Sequence, residues 1–262
     1  MMTQKEWAQY FEEKIPAALS CEWDHDGVQC LPEPSRTVKK ILTTLDVTEA
    51  LVSYAVENGV DLIISHHPLL FRPIYSISDE SAVGRILTRL TRNGIALFSY
   101  HTRADQIEGG VSDLLAARLG LTEIKAMESE EGSFLRVGLL PTCRRLGDFA
   151  EEVRASLSSD GVLLATDDMN RPVRCVAVSG GEGGDFVEDA RRAGADLYVS
   201  GRIGYHRMLE GADGGMALLE AGHYFTEREV VYFFARLIER GDAEAKIIVY
   251  APQTLSLLSS PS

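Results

Sequence analysis

The chain has only four cysteines, Cys21, Cys30, Cys143 and Cys175, and no two are spaced as Cys-x-x-Cys. That excludes a zinc knuckle and a thioredoxin-like redox pair. Positive charge is also scarce. Against 39 Asp and Glu stand 26 Lys and Arg, a formal net charge of −13. A phosphate backbone needs clustered basic residues, so nucleic acid is excluded as a partner. No uninterrupted apolar run approaches the ~20 residues of a membrane span. The opening stretch MMTQKEWAQYFEEKIPAALS is amphipathic and acidic rather than basic and then apolar, so it does not read as a signal peptide. The expectation is a soluble cytoplasmic protein with reduced thiols and no membrane partner.

What is present is a 262-residue chain that is 45% hydrophobic, enough for one large domain or two smaller lobes with real cores. Residues 38–47, VKKILTTLDV, read as a strand. Residues 48–58 read as a helix, with Thr48 as N-cap and Gly59 as the stop. Residues 61–65, DLIIS, read as the next strand. This is a β-α-β unit, so the two strands are expected parallel with a right-handed crossover. A helix over 82–92, a strand over 94–100 and a helix over 111–119 follow. The stretch 127–171 is more polar, with a strand at 134–141 and a helix at 147–157. Residues 173–201 read as strand, Gly-rich turn, helix and strand.

The two halves resemble each other. GVDLIISHH (59–67) aligns without gaps on GADLYVSGR (194–202). GIALFSYHTRAD (94–105) resembles GMALLEAGHYFTE (215–227) with one inserted residue, and both reach a His-x-x-x-carboxylate pair. We read an internal duplication. The predicted fold class is α/β, with two similar lobes, 1–125 and 126–262, related by a pseudo-dyad and facing one metal-binding cleft.

The residues that carry chemistry stand at or just beyond the predicted strand ends: His66, His67, His101, Asp105, His223 and Glu227. Four of the chain's six histidines belong to this set. In an open α/β sheet that edge binds ligands. Imidazole nitrogen with carboxylate oxygen, and no thiolate, suits zinc, manganese or iron. Adjacent strand residues point to opposite faces, so His66 and His67 can share a site only where the strand has stopped. Pro68 supports a stop there. Two ions held side by side commonly share a bridging carboxylate, for which Asp105 and Glu227 are the candidates. Each residue also has a plainer reading. A lone His101 reads equally well as a structural histidine, and Glu227 at a helix start is favoured by the macrodipole alone. The pattern Thr226-x-x-Glu229 reads as a capping box. It starts a helix near Glu227 and leaves His223 in the preceding loop, so these two are not expected as an i, i+4 pair. The turn SGGEGGD (179–185) reads as a tight turn opening a helix. His25 and His206 read as cleft-lining residues rather than ligands. Arg202, in the place of His67, could hold an anionic group of a substrate or pair with an acid.

Taken in order, WDHDGVQ (23–29), ISHHPLLF (64–71), YHTRAD (100–105) and AGHYFTE (221–227) resemble the Nif-three-like dinuclear-metal-centre family, called GTP cyclohydrolase I type two-like. The resemblance covers about residues 5–250. It implies a two-lobed α/β protomer, two divalent ions as cofactors and assembly as a homohexamer. It implies His66, His67, Asp105, His223 and Glu227 as metal ligands, with His101 as an adjacent residue suited to proton transfer. The family pattern has Asn where this chain has His25, and an acidic residue where it has Arg202. The activity implied is hydrolysis of a small molecule, with GTP, another nucleotide or a phosphoester as substrate. The alternative is a metal-binding protein or metal chaperone without catalysis.

Overall fold

The computed structural model describes residues 1–130 and 132–252. The chain runs through α1 (Gln4–Lys14), β1 (Gly27–Cys30), β2 (Lys40–Thr44), α2 (Glu49–Glu57), β3 (Leu62–Ser65), α3 (Ala82–Arg92), β4 (Ala96–Ser99) and α4 (Thr102–Gln106). Next come α5 (Val111–Arg118), β5 (Thr122–Ser129), β6 (Gly132–Arg145), α6 (Leu146–Leu157), β7 (Leu163–Ala165), β8 (Pro172–Glu182) and α7 (Val187–Arg192). It closes with β9 (Leu197–Arg202), α8 (Tyr205–Asp213), β10 (Ala217–Glu220), α9 (His223–Glu227), α10 (Val230–Gly241) and β11 (Lys246–Val249). The class is α/β, as expected.

The chain forms two compact units. The first comprises Met1–Ile107 with Val230–Ala251, and the second Glu108–Glu229. These limits differ from the expected division between residues 125 and 126. Helix α5 belongs to the second unit. Helix α10 and β11 return to the first, where β11 pairs in parallel with β2. Local periodicity identifies α10 as a buried helix but carries no information about which sheet it covers.

The first unit has a five-stranded sheet in the order β1-β4-β3-β2-β11. β4, β3, β2 and β11 are parallel, and only β1 runs antiparallel to its neighbour. The central strands β3 and β4, LIIS and ALFS, are buried at every position because both faces are covered. One face presents Leu42, Ile63 and Leu97 to Leu51, Val52 and Ala55 of α2 and Ile86 and Leu90 of α3. On α1, buried Trp7 and Phe11 are spaced i, i+4, and Phe11 stacks on Tyr100, which also meets Phe234 of α10. Thr48 caps α2 by accepting from the Leu51 N–H, as the sequence predicts.

The second unit has a six-stranded sheet in the order β5-β6-β8-β9-β10-β7, with β8, β9 and β10 parallel. Alternate residues feed two cores. Val176, Val178, Leu197, Val199, Ala217 and Leu219 pack with α5 and α6. Ala177, Tyr198 and Leu218 pack with α7 and α8. Strands β5 and β7 are absent from the sequence reading. The burial of β5 alternates between exposed and half-buried, as befits an edge, and β7 is only three residues long.

The repeated Gly-x-Asp-Leu does the same work in both units. The Asp61 carboxylate accepts from the backbone N–H groups of Lys39 and Lys40, at 2.8 and 3.1 Å. The Asp196 carboxylate accepts from Arg174 and Cys175, both at 2.9 Å. Each aspartate thus ties the start of its strand to the start of the parallel neighbour. Asp61 is buried and also holds Arg36 at 3.0 Å, whereas Asp196 is half-buried. Asp61→Ala is expected to lower stability by about 1–3 kcal/mol, the penalty for stranded buried donors. Asp196→Ala is expected to cost less. Urea unfolding midpoints check this, and equal stability of Asp61→Ala and wild type would remove the strand-tying role.

Candidate metal centre

Three imidazoles gather at the C-terminal edge of the first unit's sheet. β3 stops at Ser65, so His66 and His67 lie past the strand alternation, and their rings are 4.9 Å apart. His101 follows β4 and Tyr100, with its ring 5.4 Å from that of His66 and 5.7 Å from that of His67. One ring nitrogen from each of the three lies within 4.8 Å of the other two. His66 is buried, and His67 and His101 are half-buried.

Each ring is held from behind. His66 Nδ1 is 3.0 Å from the Tyr100 carbonyl oxygen. His67 Nδ1 is 2.8 Å from Asp46 Oδ1, and His101 Nδ1 is 3.1 Å from Asp24 Oδ2. Carbonyl and carboxylate oxygens only accept, so in each neutral ring Nδ1 carries the hydrogen and Nε2 keeps its lone pair. Metal-binding histidines are oriented in this manner. Asp105 Oδ1, 3.5 Å from His66 Nε2, adds a carboxylate oxygen to the group.

Asp24 lies in the stretch before β1 and is buried. Its Oδ2 also accepts from the Thr102 N–H at 3.1 Å and the Thr102 hydroxyl at 2.7 Å. Burial by itself would raise its pKa. The hydrogen bond and charge of His101 and the two bonds from Thr102 outweigh burial and hold it at about 2. Burial would likewise lower the pKa of His101, but the Asp24 hydrogen bond and the charges of Asp105 and Asp24 win and raise it. Asp26 fixes the same stretch, accepting from Arg103 Nε at 2.7 Å and from the His101 backbone N–H at 3.1 Å.

In the second unit, His223 and Glu227 both lie on α9, with His223 Nε2 3.0 Å from Glu227 Oε2. This corrects the expected loop placement of His223: the two are an i, i+4 pair. Gly222, at φ 91°, turns the chain directly after β10 and lets the helix begin one residue later. Thr226 is not a cap for the next helix. Its hydroxyl faces the carbonyls of Gly222 and His223 and accepts from the Gly181 N–H at 3.1 Å. Gly181 is the floor beneath the carboxylate. Its φ is 61°, and a Cβ there would collide with Glu227 Oε1 and lie 3.3 Å from His223 Nε2. The Gly-rich stretch therefore continues β8 as far as Glu182 before the chain turns.

The donor chemistry in both units fits a divalent ion of the zinc, iron or manganese kind. His25, His206 and Arg202 are exposed and join no donor group among the described residues. Arg202 Nε lies 3.8 Å from Glu182. The sequence reading missed Asp24, Asp46 and Gly181. Asp46 was signalled only by its place just after β2, at the same sheet edge as His66.

The chain is thus an α/β protein with imidazole and carboxylate groups that could hold a metal ion near the ends of parallel strands. The comparisons make this specific. The chain belongs to the Duf34/NIF3 (NGG1p interacting factor 3) family, whose model matches residues 2–254. A relative from Lactococcus lactis subsp. lactis, called GTP cyclohydrolase 1 type 2 homolog, is 34% identical over 230 residues, covering 87% of this chain and 86% of its own length. NIF3-like protein 1 of Drosophila melanogaster is 29% identical over 234 residues, 87% of this chain and 79% of its own. The crystal structure of a Bacillus cereus protein related to NIF3 superposes with a TM-score of 0.87 over 99% of both chains, at 22% identity. Reduced HcgD from Methanocaldococcus jannaschii superposes with a TM-score of 0.79 over 95% of this chain and 97% of its own, at 26% identity.

In metal-free protein, His101 is expected to titrate above the ordinary ~6.5 of histidine. The paired proton then stabilises the fold below that value and is lost as pH rises through the raised pKa. Asp24 contributes above its ordinary ~3.9 and is lost as pH falls towards 2. In Asp24→Asn the imidazole pKa should drop. NMR titration of the His101 ring checks this, and an unchanged value would detach Asp24 from His101.

Proposed function

We propose that this chain is a dinuclear divalent-metal-dependent hydrolase acting on a small molecule, with GTP, another nucleotide or a phosphoester as the substrate class. The observation that carries the proposal is the set of three imidazoles, each held at Nδ1 by an oxygen and each with a ring nitrogen within 4.8 Å of the other two. The names of the relatives add the nucleotide. In this reading His66, His67 and Asp105 from the first unit, with His223 and Glu227 from the second, are the ligands of one centre. Asp105 and Glu227 are the bridging candidates. The cytoplasmic, homohexameric form implied by the family resemblance is part of the same proposal. Among the described residues, no helix is long and apolar enough to cross a membrane.

Divalent ions, when bound, supply electrophilic stabilisation of developing negative charge and acidify water. The chain's own residues do the rest. Asp46 and the Tyr100 carbonyl orient His67 and His66 so that each offers Nε2. His101 accepts the proton of the attacking water at Nε2 and returns it to the leaving group. Asp24 steadies the imidazolium between those two events through Nδ1. Gly181 lets the Glu227 carboxylate approach the backbone.

Elemental analysis of metal per protomer tests the ligand set. Wild type is expected to hold two equivalents, and Glu227→Ala one or none. Gly181→Ala should weaken retention about tenfold or more by displacing the carboxylate. Wild type that stays empty after exposure to zinc, manganese and iron would refute the centre. With GTP and phosphoesters as substrates, His101→Ala should keep its metal and lose about 10²-fold or more in turnover. Undiminished turnover removes the proton-transfer role. Metal release to an apo-acceptor, without turnover of any substrate, would instead favour the metal-handling alternative.

A further inference from the structure

Beside the three imidazoles lie two aromatic side chains that the proposed hydrolysis does not use. Trp23 is 54% exposed and Phe71 is 48% exposed. Their rings are 6.1 Å apart at 70°. Both also meet His101, Trp23 at 6.2 Å and 75° and Phe71 at 6.1 Å and 82°. Three mutually steep rings form a corner, with apolar surface left open on the two outer members.

This corner is braced. Trp23 sits in a turn closed by the Asp24 N–H donating to the Cys21 carbonyl, at 3.0 Å. The Cys21 N–H in turn donates to Thr102 Oγ1 at 3.1 Å. The next residue, Asp24, is buried against His101 and Thr102. Gln29 of β1 then ties the two loops together. Its Nε2 donates to the His25 carbonyl at 2.7 Å, and its Oε1 accepts from the Leu70 N–H at 2.9 Å. One amide thus fixes the segment carrying Trp23 to the segment carrying Phe71. Trp23 and Phe71 together make a contiguous exposed apolar surface held in place by anchored neighbours, the kind of surface that marks a ligand site.

We propose that Trp23 and Phe71 form a stacking platform for a planar heteroaromatic ring of nucleobase size, with Gln29 as the positioning residue. The inference deepens the hydrolase reading and rests on it for the neighbouring chemistry. The corner shape favours a single ring over a broad flat partner. A ring stacked on one aromatic wall meets the other by its edge, the two geometries that aromatic pairs prefer. Stacking is tolerant of base identity because every base has a π-face. The position beside His101 places such a ring next to the group proposed to move the proton.

The chain carries its own reporter. It has two tryptophans, Trp7 and Trp23, and Trp7 is 0% exposed. Fluorescence titration of full-length, metal-loaded protein with guanosine is expected to show saturable quenching. Ribose 5-phosphate should show none. In Trp23→Phe the quench should vanish while calorimetry still detects binding. In Trp23→Ala guanosine affinity should fall about tenfold or more, and Phe71→Ala and Gln29→Ala should weaken it too. Metal content measured on the same preparations separates this platform from the metal reading. Absent or weakened guanosine binding in Trp23→Ala, with wild-type metal content and sedimentation mass, supports the platform. Equal guanosine affinity in Trp23→Ala and wild type overturns it, as does quenching by ribose 5-phosphate alone. A changed sedimentation mass in Trp23→Ala overturns it as well, by assigning the surface to contact between copies. Wild type that binds guanosine but holds no metal would refute the hydrolase reading and leave the platform standing.

Discussion

The candidate centre depends on hydrogen bonds made at the back of the histidines, not on the histidines alone. An imidazole offers one lone pair at a defined nitrogen only when the other nitrogen is committed. Here the Tyr100 carbonyl, Asp46 and Asp24 make that commitment for His66, His67 and His101. Strand order delivers all three anchors. β3, which leads to the histidine pair, lies between β2, which leads to Asp46, and β4, which leads to Tyr100 and His101. Asp24 precedes β1, which pairs with β4 on its other side. Because β2, β3 and β4 are parallel, their C-terminal ends share one edge.

The two units are variations on one plan. Asp61 and Asp196 tie equivalent strand starts, and Ser65, the last residue of β3, aligns with Ser200 of β9, which runs on to Arg202. After that serine they diverge. The first unit continues with His66 and His67, the second with Gly201 and Arg202. A Cβ at Gly201 would press to 2.6 Å from both the Gly181 carbonyl oxygen and Thr226 Oγ1. In the second unit α9 and the Gly-rich end of β8 occupy the room that the first unit gives to an imidazole. One unit therefore carries its imidazoles on the strand ends, and the other carries its donor pair on a short helix.

Most of the scaffold is legible in the sequence because it is local. The Thr48 cap, the helix over 82–92 and the end of the strand before His66 are each specified by a few neighbouring residues. What escapes reading is set by partners remote in sequence. Asp24 is 77 residues from His101, and nothing in WDHDG announces which imidazole it faces. Thr226 and Glu229 form an acceptable capping box on paper, but Gly222 and the Gly181 N–H claim Thr226 first. The return of β11 to β2 is similarly invisible to periodicity, because a short apolar strand fits either sheet equally well.

Charge decides how such an edge could handle an anionic substrate. Asp24, Asp46 and Asp105 surround three histidines in the first unit, within a chain of net charge −13. A phosphate approaching that edge by itself meets a negative field. Bound cations and aromatic stacking would answer this without any basic cluster. Bound divalent ions would reverse the local sign, so nucleotide affinity would depend on metal occupancy. The Trp23–Phe71 corner would hold the uncharged ring of the substrate by stacking, which needs no counter-charge. An acidic protein can in this way bind an anion through its neutral end and through the cations that its own carboxylates and imidazoles collect.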